Sequence, residues 1–404
     1  MKILVLNAGS SSQKSCLYEI TGDALPAHPP HPLWEATIDW TVATDYGVMK
    51  VKANGIKQET NLASDAKEGA IGQLLQTLVS GETQVLESLS EINAVGHRVV
   101  HGGTQYSEAT PITPEVKATI EKLIPLAPSH NRANLQGIEA VEKVLPDLPQ
   151  VAVFDTAFHS QMPREAAVYP IPYEYFEQGV RRYGFHGTSH RYCALRTAEL
   201  MGKPLESLKM ITCHLGNGCS LAAVKDGISI NTTMGFTPLE GLMMGTRSGS
   251  IDPAIIFYLM RDRGFDVNSI DRMLNKESGF KGVSGLSADL RTILQGINDK
   301  NERAKLAFDL YIHRLRSAIG EMLASLGGLD ALVFTAGVGE NSVAVRQRAC
   351  EGFEFLGLTL DLEKNAASVM DTDIATPESA VRVYVIHTEE DWAIASQTWQ
   401  CLHL

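Results

Sequence analysis

Cysteine, positive charge and long apolar runs are all scarce in this sequence. The six cysteines among 404 residues are scattered and form no C-x-x-C pair, which predicts a reducing cytoplasm without structural disulfides or zinc. A formal net charge of -12 argues against a nucleic-acid-binding surface, because contact with a phosphate backbone needs a basic face. No apolar run approaches the length that crosses a bilayer, so we expect no membrane partner.

Tracts that would mark a secretion signal or a disordered tail are also missing. The apolar run at residues 2–6 stops at Asn7-Ala8-Gly9 and is too short for a signal peptide, so we interpret it as a buried strand. No low-complexity segment or charged tail interrupts the chain. Because 404 residues exceed one ordinary core, the length predicts two domains with a substrate cleft between them.

One pattern occurs twice, far apart in the chain: a strand, a loop of small residues and a second strand. The first copy has its loop at residues 7–12, and the second has its loop at residues 216–220. An Asp226-Gly227 pair follows the second copy and predicts a two-residue hairpin turn. The two copies together indicate a duplicated domain.

Strands and helices alternate through the rest of the chain, which predicts layered α/β architecture. Apolar periodicity predicts helices at residues 68–86, 114–126, 132–144, 254–261 and 305–326. Apolar runs predict strands at residues 94–100, 150–154, 331–336 and 381–386.

Glycine- and serine-rich turns leave backbone N–H groups uncovered, so phosphate oxygens can approach them. Residues 7–12 with Lys14 nearly match a Walker A loop but lack the glycine before the lysine, so they do not predict a classical P-loop. The loop at 216–220 lacks the third glycine of a dinucleotide-binding fingerprint, because Leu221 stands there. Alone, each loop is an ordinary turn, but the pair would hold the two ends of a triphosphate. A third cluster, residues 334–342, is either a tight strand-to-helix turn or the ribose and base site.

Three glycine-rich strings contain Arg98, His186 and Arg247. A guanidinium presents a planar fork to carboxylate or phosphate oxygens, although each arginine alone is equally consistent with an ordinary ion pair. His186 and His190 are four residues apart, but Gly187 replaces the glutamate of a zinc motif and Gly-Thr-Ser is a poor helix former. We therefore predict no zinc.

No G-x-S-x-G string supports a serine hydrolase. Asp155 and Glu390 lie beside the candidate loops and are of the type that holds magnesium against phosphates. The alternatives are that Asp155 caps a turn and that residues 389–391 are the acidic first turn of a last helix.

Taken together, these strings closely resemble the acetate kinases, within the acetate and propanoate kinase family. The resembling segments span the chain and are LVLNAGSSSQK (4–14), GHRVVHGG (96–103), VAVFDTAFH (151–159), RYGFHGTSH (182–190), HLGNGCS (214–220), MGFTPLEGLMMGTRSGSIDP (234–253) and FTAGVGENS (334–342).

The resemblance implies a duplicated, actin-like, sugar-kinase and Hsp70-type (ribonuclease H-like) α/β fold of two domains. We expect an N-terminal domain at 1–155, a nucleotide-binding domain at 156–391, and a helix at 392–404 that packs back onto the first domain. The implied activity is reversible, direct in-line transfer of the γ-phosphoryl group of ATP to acetate. It implies magnesium, or manganese in its place, with ATP or ADP as co-substrate, and a homodimer.

Site residues follow from the resemblance by motif match. Arg98 and Arg247 look like the pair that grips carboxylate and phosphoryl, His186 like the transition-state stabiliser, and Asp155 like the partner that orders arginine or metal. Asn7 and Glu390 resemble the metal ligands. The acyl group should contact Arg98, Val100, Ser129, Phe185 and Pro238. The nucleotide should contact Lys14, His214, Leu215, Gly216, Asn217, Gly218, Asp289, Leu290, Arg291, Gly337, Val338, Gly339, Glu340 and Asn341.

Two positions depart from the family pattern. Ser129 stands where a leucine is expected to line the methyl pocket, and His387 stands where proline is common. One methylene in an apolar pocket discriminates by only about 1–3 kcal/mol, so a propanoate or butanoate kinase is the nearest alternative. A nucleotide-gated binding protein of the actin or Hsp70 kind, without a small substrate, is the alternative from a different class.

Overall fold

The computed structural model describes residues 1–9, 12–40, 42, 45–63, 69–367 and 369–403, and of Ser129 only the backbone. The chain divides into two compact units, Met1–Ala157 with Glu389–Leu404, and Phe158–Thr388. These bounds lie close to the predicted domain limits at 155 and 391, although residues 389–391 belong to the first unit. The division into folding domains stays a prediction. Among the described residues, no helix combines the length and apolar character that crossing a membrane requires.

The first unit is built on one mixed sheet. Its strands are β1 Lys2–Ala8, β2 Ser12–Glu19, β3 Trp34–Asp39, β4 Tyr46–Ala53, β5 Ile56–Ala63, β6 Ala94–Val99, β7 Thr110–Pro111 and β8 Gln150–Phe154. Their order in the sheet is β5-β4-β3-β2-β1-β6-β8-β7. The apolar run of β1 is buried on both faces, as expected for a strand with a parallel neighbour. The predicted N-terminal strand is therefore confirmed.

The second unit repeats this topology. Its strands are β9 Lys209–Leu215, β10 Cys219–Lys225, β11 Ile228–Thr232, β12 Ala331–Thr335, β13 Thr372–Asp373 and β14 Arg382–Val385. Their order is β11-β10-β9-β12-β14-β13. Both sheets contain a three-strand antiparallel meander whose first strand pairs in parallel with a later strand, β6 in one and β12 in the other. The repeated strand, loop and strand pattern thus corresponds to a repeated sheet.

The hairpin predicted at Asp226-Gly227 joins β10 to β11. Both residues have positive φ, 53° and 78°, as the favoured two-residue turn requires.

The described residues form a helix at each of the five segments where periodicity predicted one, and further helices elsewhere. In chain order they are α1 Ala70–Val79, α2 Pro114–Lys122, α3 Pro128–Val144, α4 Arg164–Ala167, α5 Glu174–Glu177, α6 Gly187–Met201, α7 Ala254–Arg263, α8 Val267–Lys276, α9 Gly279–Ser284, α10 Leu290–Asn298, α11 Glu302–Leu326, α12 Ala336–Asn341, α13 Val343–Cys350, α14 Leu362–Ala367 and α15 Glu390–His403. α1 is shorter than the predicted helix at 68–86, because the chain leaves the helix at Ser80 and Gly81 has a φ of 83°.

One local prediction was wrong. Gly187, Thr188 and Ser189, interpreted as poor helix formers, are the first turn of α6, which is buried in the second unit. Burial of that turn outweighs its low intrinsic propensity. The cluster at 334–342 is more than a turn, because α12 forms within it.

The last helix, α15, belongs to the first unit. Its Trp392 ring lies edge-on to Tyr18 of β2, with ring centroids 5.5 Å apart. Gly96 of β6 faces the same helix so closely that a Cβ atom there would overlap with Thr398 and Ile394. The helix thus covers one face of the first sheet and brings its N-terminal carboxylates to the ends of β1 and β6.

Candidate active site

In the first unit, Arg98 and Asp155 form a buried ion pair. Arg98 lies on β6, and Asp155 follows the neighbouring parallel strand β8. Arg98 Nη2 donates to Asp155 Oδ2 at 2.6 Å, and Nε lies 3.1 Å from both carboxylate oxygens. Burial lowers the pKa of Arg98, but the charge of Asp155 and these hydrogen bonds outweigh it and hold that pKa above its ordinary value. The guanidinium is therefore oriented and permanently charged.

Asn7 extends this cluster at the end of β1. Its Nδ2 donates to Asp391 Oδ1 at 2.8 Å, and its Oδ1 accepts from Arg98 Nη1 at 3.3 Å. Burial raises the pKa of Asp391, while the Asn7 hydrogen bond and the charge of Lys14 oppose that rise. Asp391 was not predicted from the sequence, where Glu390 was the residue of this acidic run singled out as a metal ligand.

The oxygens of this cluster suit a magnesium ion that also binds phosphates. Asn7, Asp155 and Glu390 supply amide and carboxylate oxygens, which Mg²⁺ prefers. Within the described part of the chain, no group of three or more His, Cys, Asp or Glu side chains could enclose a metal. Mg²⁺ commonly takes only one or two protein ligands beside phosphates and water, so the residues fit such an ion.

In the second unit, two histidines stack beside the loop that joins β9 to β10. The rings of His186 and His214 are 4.0 Å apart between centroids and inclined by 18°. Each ring meets a serine at Nδ1, His186 at Ser220 Oγ (2.8 Å) and His214 at Ser189 Oγ (2.8 Å). His186 precedes α6 with a φ of 57°, a left-handed conformation that is uncommon for a residue other than glycine. Strain of this kind is often found at functional positions.

Gly218 marks the point where His186 and Arg247 meet. A Cβ atom at Gly218 would lie 3.5 Å from Arg247 Nη1 and 3.5 Å from both Cε1 and Nε2 of His186. Close packing of Gly245 on Asn217 holds the two segments together, since a Cβ at Gly245 would overlap with Asn217 Oδ1. The structure therefore brings together two of the predicted catalytic side chains with the predicted phosphate loop.

Unlike Arg98, Arg247 has no carboxylate beside it in the part of the chain that the structure describes. Among the described residues, the partners of its guanidinium are the Pro238 carbonyl at 3.3 Å and the Met244 thioether at 3.8 Å. Burial lowers the pKa of Arg247, and the nearby Cys219 thiol opposes that effect only in part. A half-buried cation without a protein counterion is a favourable place for an anionic ligand.

A pocket of about 870 Å³ lies beside this loop in the second unit, a size typical of small-molecule sites. Of the residues predicted to contact nucleotide, it is lined by Gly216, Asn217, Asp289, Leu290, Arg291, Gly337, Val338 and Asn341. Phe280, Leu294 and Val343 also line it and were missed. They are apolar residues of separate helices, a surface suited to a planar base.

The remaining predicted nucleotide residues do not line this pocket. Gly339 and Glu340 point away from it, and the Glu340 carboxylate is buried, accepting from Ala336 N at 2.9 Å and Thr388 N at 3.1 Å. Its Oε2 also lies 2.7 Å from Nδ1 of His387, the residue that stands where proline is common in the family. Leu215 is a buried residue of β9, and Lys14 lies on β2 of the first unit.

The residues predicted for the acyl group fall into both units. Val100 is buried in the first unit, where its N–H donates to Asn134 Oδ1 at 3.1 Å. Phe185 is buried in the second unit next to His186, and the Pro238 carbonyl accepts from Arg247. The Ser129 side chain lies outside the described residues, so its predicted role stays a prediction.

Two sheets of one topology, with glycine-rich loops and a pocket of small-molecule size, are typical of the actin-like class of nucleotide-binding proteins, to which phosphotransferases belong. The model of the Acetokinase family matches residues 2–396. An acetate kinase of Rippkaea orientalis is 66% identical over 403 residues, covering 100% of this chain and 99% of that protein. The crystal structure of Porphyromonas gingivalis acetate kinase is 43% identical, with a TM-score of 0.90 and 99% of each chain covered. A propionate kinase from Francisella tularensis is 39% identical, with a TM-score of 0.89 and 98% of each chain covered.

The chain belongs to the acetokinase family. The resemblance, the duplicated actin-like α/β fold and the enzyme class, a kinase with a carboxylate acceptor, are thereby confirmed as predicted. The alternative of a nucleotide-gated binding protein without a small substrate is not favoured.

Proposed function

We propose that this chain catalyses reversible, Mg²⁺-dependent transfer of the γ-phosphoryl group of ATP to acetate, giving acetyl phosphate and ADP. The observation that carries the proposal is Arg247, a half-buried cation that lies beside His186 and the Gly218 loop. Within the described chain it has no carboxylate partner, so an anionic ligand is the natural counterion. Arg98, already held by Asp155, is assigned to the acetate carboxylate on the basis of the family resemblance.

Direct transfer of the phosphoryl group requires no covalent intermediate with the protein. A carboxylate is ionised at neutral pH, so it needs no general base to become a nucleophile. Its negative charge and that of the γ-phosphate repel each other, and fixed positive charge and hydrogen-bond donors at the transferring group offset that repulsion. Arg247 supplies charge there, and His186 supplies a hydrogen-bond donor.

The nucleotide is assigned to the pocket of about 870 Å³. Gly216 and Asn217 line one side of the pocket and would lie against the phosphates, and the apolar side would take the base. When bound, Mg²⁺ would neutralise part of the phosphate charge. Asn7, Glu390 and Asp155 are the residues assigned to hold it, and manganese would suit the same oxygens.

Trapping of the acyl phosphate tests this function. Purified protein with ATP, Mg²⁺, acetate and hydroxylamine should form acetohydroxamate. Arg247→Ala should lower turnover by about three orders of magnitude, by comparison with arginine fingers. Arg272→Ala is the matched control, because Arg272 is exposed and pairs with Glu277 on the surface. ATP hydrolysis that does not depend on a carboxylate, or a well-folded Arg247→Ala protein with near-normal turnover, would overturn the proposal.

A longer acid is the second candidate substrate, because Ser129 replaces the expected leucine and a related structure is that of a propionate kinase. The hydroxamate assay across formate, acetate, propanoate and butanoate separates these acids by kcat/KM. If Ser129 lines the acyl pocket, Ser129→Leu should shift the preference toward acetate. An unchanged profile would remove Ser129 from the pocket.

We also propose a homodimer. None of the ten residues of α7 is buried, and the helix and its C-terminal neighbours expose large apolar side chains. These are Ile255, Phe257, Tyr258, Met260, Phe265 and Val267. Such a patch usually marks a protein contact, and a second copy of the chain is the partner we assign. Phe257→Asp should give a monomer in sedimentation velocity, whereas Phe355→Asp, at another exposed aromatic, should not. A wild-type monomer at micromolar concentration would refute the assignment.

A cytoplasmic location is proposed on the state of the cysteines. Among the described residues none of the six forms a disulfide, and five of them are buried. Free thiols are typical of reducing compartments. Recovery of the native protein in the soluble cytoplasmic fraction, and not in the periplasm, would support the location.

A further inference from the structure

A continuous line of hydroxyl and imidazole groups lies behind His186. Thr212 Oγ1 meets His190 Nδ1 at 2.7 Å, His190 Nε2 meets Ser220 Oγ at 2.8 Å, and Ser220 Oγ meets His186 Nδ1 at 2.8 Å. Thr212, His190 and Ser220 are fully buried. The family resemblance assigned no role to these three residues, and the nucleotide pocket does not use them.

The direction of these hydrogen bonds follows from Thr212. Its hydroxyl has one proton, and His190 Nδ1 is its one side-chain partner among the residues that the structure describes. A buried hydroxyl proton without an acceptor is costly, so Thr212 donates and Nδ1 of His190 accepts.

The protonation state of His190 fixes the direction of the next hydrogen bond. Burial, with the nearby His159 and His214, holds the pKa of His190 well below its ordinary value, so the ring is neutral. A neutral imidazole that accepts at one nitrogen donates at the other. His190 Nε2–H therefore donates to Ser220 Oγ.

Ser220 completes the line. Its hydroxyl receives the proton of His190, and within the described chain the other acceptor for its own proton is His186 Nδ1. With Nδ1 accepting, His186 carries its proton on Nε2. That nitrogen would lie 3.5 Å from a Cβ at Gly218, next to Arg247. The N–H of His186 is thus directed at the place assigned to the transferring phosphoryl group.

We propose that Thr212, His190 and Ser220 are positioning residues that keep His186 neutral with its proton on Nε2, so that His186 serves as a fixed hydrogen-bond donor and not as a proton shuttle. The inference deepens the proposed function and rests on it for the identity of the acceptor. A protonated His186 would donate at Nδ1 and leave the Ser220 proton without an acceptor. The stacked His214, 4.0 Å away and also facing a serine hydroxyl at Nδ1, fits a pair of neutral rings better than a pair of cations.

The tautomer can be measured directly in the wild-type enzyme. In protein labelled with ¹⁵N at histidine, the His186 signals are identified by their loss in His186→Asn. The proposal expects a protonated Nε2 and an unprotonated Nδ1 for His186 at neutral pH. A protonated Nδ1, or an imidazolium, would overturn it, and His186→Asn serves only to assign the signals of the wild-type protein.

Thr212→Val and Thr212→Ser form a matched pair that tests the hydrogen-bond relay from Thr212 through His190 and Ser220 to His186. The valine has nearly the shape of threonine but lacks the proton that sets the direction, whereas serine keeps it. Thr212→Val should populate both His186 tautomers and lower kcat about five- to tenfold, the value of one hydrogen bond, with KM for ATP unchanged. Thr212→Ser should keep the wild-type tautomer and kcat.

The failure of the relay and the failure of the proposed function give different results. The relay would be refuted if both Thr212 variants had the same His186 tautomer and the same kcat as the wild type. Hydroxamate formation by the wild type would then still support the kinase function. Absence of hydroxamate from a wild type with the predicted His186 tautomer would refute the function alone.

Discussion

Gly218 offers a substitution that should remove activity without unfolding the protein. Its backbone lies outside the left-handed region, so alanine can adopt the same conformation. The added methyl would lie 3.5 Å from Arg247 Nη1 and 3.5 Å from His186 Cε1 and Nε2, which is ordinary van der Waals contact. The folded protein therefore accepts the methyl group, but the group occupies the space in front of both donors.

The size of the effect follows from this geometry. A phosphoryl oxygen must come within about 2.7–3.1 Å of a donor to be stabilised, and loss of one such donor costs about 10²–10³ in kcat. Because Gly218→Ala separates the oxygen from two donors, we expect a decrease of about 10³ or more. Exchange of glycine for alanine at a compatible position changes stability by only about 0.4–1 kcal/mol.

The acetohydroxamate assay measures the decrease, and thermal unfolding followed by circular dichroism measures the stability. Gly320→Ala on α11 is the control, because a Cβ atom there meets nothing within 4 Å. It should leave turnover unchanged. A folded Gly218→Ala protein with turnover near that of the wild type would refute the placement of the phosphoryl group at His186 and Arg247.

Two further predictions concern stability in the first unit. Asp155→Ala leaves the buried Arg98 guanidinium without its carboxylate partner and should destabilise the protein by about 3–5 kcal/mol in urea unfolding; a loss below 1 kcal/mol would contradict the ion pair. Burial lowers the pKa of His97 from 6.5 to about 4, although the hydrogen bond to Gln150 acts to raise that pKa. The unfolded chain therefore binds a proton that the folded chain excludes, and stability falls as pH decreases from about 6.5 to about 4, by about 1.4 kcal/mol per pH unit from this residue. His97→Gln should flatten the urea-unfolding profile over that range, and an unchanged slope would refute the assignment.

Regular elements were well predicted from sequence because their apolar patterns are long and their ends are marked. The strand predicted at 150–154 matches the observed β8, and the helix predicted at 254–261 matches α7. The errors arose where tertiary burial decides the outcome, as in the first turn of α6, which is buried despite its Gly-Thr-Ser sequence.

The candidate site was predicted to the extent that it lies in contiguous motifs. The loop at 216–218 and Arg247 were singled out as glycine-rich strings, and the structure brings them together. The prediction for 337–341 was too broad, because a helix has two faces. Gly337, Val338 and Asn341 line the pocket, whereas Gly339 and Glu340 lie on the other side of α12.

Single polar residues that act through long-range packing could not be found in this way. Thr212 and Ser220 are ordinary strand residues by pattern, and their hydroxyls gain a role only because α6 places His186 and His190 against β9 and β10. Asp391 is similar, because its partner Asn7 lies at the opposite end of the sequence.

The position of α15 has a consequence for the order of synthesis. Residues 1–157 leave the ribosome first, yet their sheet keeps one face uncovered until Glu390–His403 has been translated. The intervening residues 158–388 belong to the other compact unit, so they do not cover that face. The nascent chain thus carries an exposed apolar surface for most of its translation, and a stop codon or a bulky fusion placed before α15 should yield an aggregating product, since Asn7 and Gly96 would lose the helix that covers them.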